Sequence, residues 1–180
     1  MAHQGRFEDQ KQGEEDDAWH RLLIEPTFER TCLQKFGFLE KEFGFALRSS
    51  ETTSYGSHVT YTNQTTGVRV SLEPREGGIF VELSRLADGE LPSVPIFIES
   101  DSVLNSFDLD DILLLRSAPT GKQLDTSSAL TADEIERELE RYASALRAYA
   151  PDILWGDFEL FPQLASLVKR RKRVLDDSYE

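Results

Sequence analysis

The feature that most constrains this fold is a change in the spacing of apolar residues in the first half of the chain. Apolar residues first recur every three or four positions, which places them on one face of a helix. They are Phe28, Cys32, Phe36, Leu39 and Phe43. Gly44 follows, where a helix can end in a residue with positive φ. The pattern predicts one long helix from Pro26 or Thr27 to Phe43, with a break at Gly37 as the alternative, since an interior glycine costs roughly 1 kcal/mol.

The spacing of apolar residues then becomes two, which is typical of strands with one buried face. The apolar members of the three alternating runs are Val59 and Tyr61, then Val68, Val70 and Leu72, then Ile79, Val81 and Leu83. Short polar segments that contain glycine join the runs, at Thr62–Gly67 and Pro74–Gly78. The prediction is an antiparallel meander. An earlier strand is expected to begin over Phe45–Leu47, followed by a polar loop over Ser49–Ser54.

The second half of the chain predicts mainly helices. Pro95–Ile98 is expected to be a short edge strand or an extended cover over the sheet. Asp108 is expected to cap a short helix, and Thr131 with Glu134 fits a capping box that starts a long helix. That helix either ends before Pro151 or kinks there. A last helix, from about Phe158, carries a run of five cations at its end, Lys169–Arg173.

Together these patterns predict an α+β fold. Its antiparallel meander has four to five strands, and one long N-terminal helix and two to three C-terminal helices pack on one face of it. The predicted boundaries are a disordered or frayed acidic tail over residues 1–17, a single domain over residues 18–175, and a frayed C-terminus over residues 176–180. A chain of 180 residues is long enough for one real core.

Charge is the most unusual feature of the composition. The formal net charge is −13, and the segment Ala87–Glu140 holds 13 acidic and 3 basic residues, a net charge of −10. A negative field repels nucleic acid and anionic membrane surfaces, and it speeds the encounter with a basic protein. We therefore expect no nucleic-acid partner and no membrane association. The sequence leaves the oligomeric state open.

The sequence also limits the chemistry that we expect. It lacks the nucleophile elbow of hydrolases and the paired-histidine motif of zinc proteases. The one cysteine, Cys32, shares its helix face with Phe28 and Phe36, which favours a small core residue over a nucleophile. A single cysteine and an N-terminus without an apolar signal favour a cytoplasmic protein. We expect no catalytic residue, no metal site and no cofactor.

The carboxylates before and at the start of the predicted short helix are the candidate site. They are Glu99, Asp101, Asp108, Asp110 and Asp111. Carboxylates at a helix start are favoured by the helix dipole, so a structural cap competes with a binding role. The polar face of the meander is a second candidate surface if no helix covers it.

The function that we predict is binding of a basic protein without catalysis. Toxin-neutralising immunity proteins of bacteria, and other antagonists, have this acidic character, and the parallel is an analogy. One alternative is a binder like the secretion chaperones, which would need an exposed apolar groove or dimer surface. The other is an enzyme that uses surface carboxylates on a small molecule, which would need a concave pocket where two acidic side chains converge.

Overall fold

The computed structural model describes residues 25–53, 56–73, 78–93, 97–99, 101–117 and 131–177. Several predictions lie outside these residues. They concern the N-terminal tail, the turn at residues 74–77, the first half of the predicted strand Pro95–Ile98, most of the loop that follows the short helix, and the last three residues.

The described chain has an α+β fold. Five strands, β1 (Ala46–Thr52), β2 (Ser57–Thr62), β3 (Thr66–Glu73), β4 (Gly78–Arg85) and β5 (Ser106–Asp108), form one antiparallel sheet in the order β1-β2-β3-β4-β5. The helices are α1 (Glu25–Lys35), α2 (Phe38–Phe43), α3 (Leu109–Leu115), α4 (Ala132–Tyr149), α5 (Pro151–Leu154) and α6 (Phe161–Asp177). Each strand pairs with the next strand in sequence, so the predicted meander is confirmed.

The core lies between the apolar face of the sheet and the helices. Alternate residues of β2, β3 and β4 are almost completely buried, among them Val59, Val70 and Leu83. Phe28 and Leu139 contribute fully buried side chains from α1 and α4. Because the helices gather on this face, the other face of the sheet keeps its polar side chains.

The predicted first helix is broken at Gly37, as the alternative anticipated. The amide of Phe36 still donates to the carbonyl of Cys32, and α2 then begins at Phe38. Gly44 ends α2 with φ +69°, as its position predicted. The break lets Phe36 and Leu39 both be buried while the chain turns toward β1.

The structure corrects three boundaries. Residues 49–52 extend β1 instead of forming a loop, because they pair with β2. Phe97–Glu99 has no strand structure, and the edge strand next to β4 is β5. The last helix begins at Phe161, not near Phe158, and continues to Asp177, so the basic run lies inside the helix.

The predicted start and end of the long helix in the second half of the chain are confirmed. Thr131 and Glu134 form the predicted capping box, in which the hydroxyl of Thr131 accepts from the amide of Glu134 and the Glu134 side chain accepts from the amide of Thr131. α4 ends at Tyr149 before Pro151, which opens the single turn of α5. These positions fix where the chain turns back toward the sheet.

Candidate functional site

Four carboxylates converge where β5 meets α3, and we call Glu82, Asp108, Asp110 and Asp111 the carboxylate cluster. Glu82 lies directly opposite Asp108 in the pairing of β4 with β5. Like charges at directly opposed positions of an antiparallel pair destabilise a sheet. This local arrangement is therefore unfavourable for the isolated protein, and stability alone does not account for it.

The chain reaches this arrangement because β5 runs directly into α3. Leu109, Ile112 and Leu113 are fully buried and hold the helix against the core. Asp108 occupies the N-cap position with extended backbone, but its side chain makes no capping hydrogen bond. The predicted cap is thus right in position and wrong in mechanism, since the Asp108 carboxylate does not bond the helix amides.

Two members of the cluster are held by other helices. The Arg171 guanidinium of α6 donates to Oδ1 of Asp111 at 2.5 Å, and the Asp111 side chain is 9% exposed. The hydroxyl of Tyr142 on α4 donates to Oδ2 of Asp110 at 3.0 Å. Burial of the Asp111 side chain requires a partner, whereas Asp110 is exposed.

Few cations balance the cluster. Arg171 pairs with Asp111, and Arg69 lies opposite Glu82 in the register of β3 with β4. Among the described residues, no ion pair joins Arg69 to Glu82, and none involves Asp108 or Asp110. The cluster therefore carries more negative charge than its neighbours neutralise.

The electrostatics of Asp108 reflect this imbalance. Loss of solvation raises the pKa of Asp108 to about 6, and the nearby charges of Asp111, Glu82 and Asp110 add to the shift, while Arg171 opposes it. Desolvation and like charges both disfavour an ionised carboxyl group. Part of Asp108 remains exposed, so a cation from solution can reach it.

The structure separates the predicted site residues into two groups. Asp108, Asp110 and Asp111 belong to the cluster. Glu99 and Asp101 are exposed in the segment before β5, where the amide of Glu99 donates to the hydroxyl of Ser102. Within the described residues, no hydrogen bond or ion pair connects either of these two carboxylates to the cluster.

The α6 helix links the two groups indirectly. Lys172 Nζ donates to the carbonyl of Ile98 at 2.9 Å, next to Glu99, while the preceding residue, Arg171, bonds Asp111. The basic run thus neutralises acidic surface of the same molecule at Asp111.

His58 and Ser71 form a polar pair on the polar face of the sheet, but they are not arranged as a catalytic base and nucleophile. His58 Nδ1 lies 3.1 Å from the hydroxyl of Ser71, and Glu51 is the register partner of His58 on β1. Ser71 is buried, and among the described residues no hydrogen bond joins His58 to a carboxylate. An activated serine needs a base that is itself oriented and an accessible hydroxyl.

Part of this face is covered by the connection after β4. A Cβ added at Gly67 would lie 2.5 Å from Leu91 Cδ2 and 3.2 Å from Leu86 Cδ2. Both leucine side chains therefore lie over the sheet at this position. Arg48 on β1 donates to Gly89 and pairs with Glu90, which fixes the turn formed by residues 87–90. The polar face is therefore only partly open.

The pocket found among the described residues lies away from the carboxylate cluster. A shallow depression of about 390 Å³ between α3 and α6 is lined by Leu115, Pro162, Gln163, Ser166, Leu167 and Arg170. No carboxylate lines it. The enzyme alternative needs two acidic side chains in one concavity, and this depression does not provide them.

Cys32 is a core residue, as its helix face predicted. Its side chain is fully buried, and burial raises the pKa of its thiol far above the ordinary value, with a further contribution from Glu29. A thiol that remains protonated is a poor nucleophile. Among the described residues, no three histidine, cysteine, aspartate or glutamate side chains are arranged to hold a metal ion.

Sequence reasoning missed Glu82, Tyr142 and Arg171 as part of the site. Glu82 is recognisable as a polar residue of its strand, but its position beside Asp108 depends on a register between segments more than 20 residues apart. Arg171 belongs to a visible basic run, and nothing local indicates which of its members reaches Asp111.

Comparisons with protein-family models, with curated proteins and with solved structures find no match to this chain. In the part of the chain that the structure describes, no helix combines the length and apolar character that a membrane span requires.

Proposed function

We propose that this protein binds a basic protein without catalysis, and that the carboxylate cluster is the centre of the binding surface. The observation that supports this most is the unfavourable placement of Glu82 opposite Asp108. Proteins keep locally unfavourable arrangements mainly at functional sites. A guanidinium or ammonium group from a partner would relieve this repulsion. Because the repulsion raises the free energy of the free protein, its relief would favour the complex.

The exposed carboxylates Glu99 and Asp101 extend the acidic surface around the cluster in this proposal. They are suited to steering a basic partner during its approach, since rim charges mainly change association rates and their salt dependence. Immunity-like and antagonist-like proteins capture a basic protein in the cytoplasm. The comparison of this chain with them is an analogy based on charge.

A chaperone-like role has less support. Several large apolar side chains are exposed, but they lie on different elements, including α1, β1 and α3. Singly exposed apolar residues are ordinary on protein surfaces. The acidic cluster is a more specific feature than these residues.

The proposal predicts that the position of the neutralised charges matters. A fluorescent hexa-arginine peptide serves as the basic probe, and its anisotropy gives the affinity at about 50 mM and about 150 mM salt. The triple variant Glu82→Gln, Asp108→Asn, Asp110→Asn should bind the probe about tenfold more weakly, because each exposed charge pair contributes roughly 0.2–1 kcal/mol. The affinity of the native protein should also fall as salt rises.

The matched control removes the same number of charges from other elements, through Glu51→Gln, Asp88→Asn and Asp133→Asn. All three residues are exposed. This control should weaken binding about threefold or less. Equal losses in both triple variants would mean that the probe responds only to net charge, and the cluster would then not be a binding surface.

A further inference from the structure

Trp155 is unusually exposed for a tryptophan. It keeps 67% of its surface in contact with solvent, whereas this residue is highly buried on average. Its ring packs against Phe43 with centroids 5.2 Å apart. One side of the indole is therefore supported by the protein while most of the ring remains free.

The backbone around Trp155 is rigid, and we call residues 154–157 the Trp155 corner. The amide of Trp155 donates to the carbonyls of Pro151 and Asp152 at 3.0 Å, and the amide of Asp157 donates to the same Asp152 oxygen at 2.9 Å. Gly156 has φ +89° and lies against Thr65. A backbone held in this way loses little further freedom on binding, which favours affinity.

The β2–β3 turn also fixes the corner. The side-chain amide of Asn63 donates to the carbonyl of Leu154 at 3.1 Å, and the hydroxyl of Thr66 donates to the carbonyl of Ile153 at 3.0 Å. Asn63 Oδ1 in turn accepts from the amides of Thr65 and Thr66. The Trp155 ring is thus presented at one end of the sheet by a hydrogen-bonded support.

Two exposed carboxylates follow Trp155 closely in the sequence. They are Asp157 and Glu159, and the Asp157 carboxylate accepts from the amide of Glu159 at 3.0 Å. Two arginines also lie at the corner: Arg116 pairs with Asp152, and the Arg85 guanidinium lies 5.4 Å from the centroid of the Phe158 ring. Asp157 and Glu159 are therefore the carboxylates that favour a cation near the ring, and tryptophan is the aromatic side chain that binds cations best.

We propose that the Trp155 corner is an anchor point for the same basic partner, and that it receives an arginine or lysine side chain against the indole ring. This inference rests on the proposed function, because it takes the partner to be basic. Exposed aromatic anchors surrounded by polar residues are typical of binding hot spots.

Thr66, next to the corner, pairs with Arg85 on β4, and Glu82 lies three residues from Arg85, about 10 Å along the strand. A partner that contacts both the corner and the cluster must span at least this distance.

The test measures binding of the hexa-arginine probe to Trp155→Ala, Trp155→Leu and the control Leu33→Ala, which truncates an exposed apolar residue on α1. We expect Trp155→Ala and Trp155→Leu to bind about three- to tenfold more weakly, because a cation gains roughly 0.5–2 kcal/mol over an indole ring. Leu33→Ala should bind like the native protein. Unchanged affinity in Trp155→Leu would overturn the cationic contact, since leucine keeps an apolar side chain without a ring.

Fluorescence provides a second readout. The chain has two tryptophans, so in a Trp19→Phe variant the emission comes from Trp155 alone. The probe should change this emission with the same midpoint as the anisotropy titration. An emission that does not respond while the peptide binds would overturn the inference.

The outcomes separate this inference from the proposed function. If neutralising the cluster weakens binding and Trp155→Ala does not, acidic capture stands and the anchor is wrong. If Trp155→Ala weakens binding and the cluster variant matches its control, the anchor stands and the cluster is wrong. Sedimentation velocity tests a different occupant, because self-association that disappears in Trp155→Ala would assign the corner to a second copy of this chain.

Discussion

Replacing Gly156 by alanine should lower the free energy of unfolding by about 3 kcal/mol. Gly156 has φ +89°, where a side chain costs roughly 1–2 kcal/mol. The added Cβ would also lie 2.5 Å from Oγ1 and 3.2 Å from Cβ of Thr65, and overpacking of this kind typically costs about 1–3 kcal/mol. Urea denaturation of the purified variant measures the loss.

Gly89 offers a matched control for this variant. It also has positive φ, at +80°, but a Cβ at this position would meet nothing within 4 Å. Gly89→Ala should therefore lose only about 1–2 kcal/mol, the backbone contribution alone. Adding Thr65→Ala should reduce the loss in Gly156→Ala toward that value. A loss in Gly156→Ala no larger than in Gly89→Ala would show that the corner does not press on the β2–β3 turn.

Replacing Arg171 by glutamine should lower the free energy of unfolding by about 2–3 kcal/mol at pH 8. Removing one partner of a buried ion pair costs about 3–5 kcal/mol, because the other charge stays buried. The lower value is expected here because Arg171 is 52% exposed. Asp111→Asn in the same chain should restore most of the lost stability, since the amide needs no cation.

The loss in Arg171→Gln should also depend on pH. The pKa of Asp108 is about 6 in the folded protein, above its ordinary value of 3.8, and Arg171 holds it down. Without Arg171 this pKa rises further, so the folded state binds a proton more readily than the unfolded chain. The added destabilisation is then full above the folded pKa of the variant and is relieved as pH falls below the native folded pKa of about 6. Urea denaturation at pH 5 should show a smaller loss than at pH 8, and an equal loss would mean that Asp108 does not interact with Arg171.

The fold was largely predictable because its elements have regular apolar spacing. The runs at Val68–Leu72 and Ile79–Leu83 identify β3 and β4, and Thr131 marks the start of α4. β5 was missed because three residues are too few to show alternation. The apolar character of Pro95–Ile98 fits either an edge strand or an extended cover, and pairing with β4 selects Ser106–Asp108 as the edge strand.

The candidate site was predictable only in part. The local sequence identifies Asp108, Asp110 and Asp111 as neighbours at a helix start, because no long-range information is needed. It does not indicate that Asp111 is buried beside Arg171 or that Asp108 faces Glu82, since both facts depend on tertiary packing. The exposure of Trp155 also depends on tertiary packing, since its ring lies against Phe43 and is mostly exposed.

The most direct test of the central claim is a carbon NMR titration of the Asp108 carboxyl group, with and without the hexa-arginine probe. We expect the free protein to show a pKa of about 6 and the probe to lower it, because a bound cation favours the ionised carboxylate. Asp108→Asn identifies the resonance. An ordinary pKa in the free protein would contradict the proposed repulsion in the cluster. A raised pKa that the probe leaves unchanged would contradict the cluster's role in capturing a basic partner.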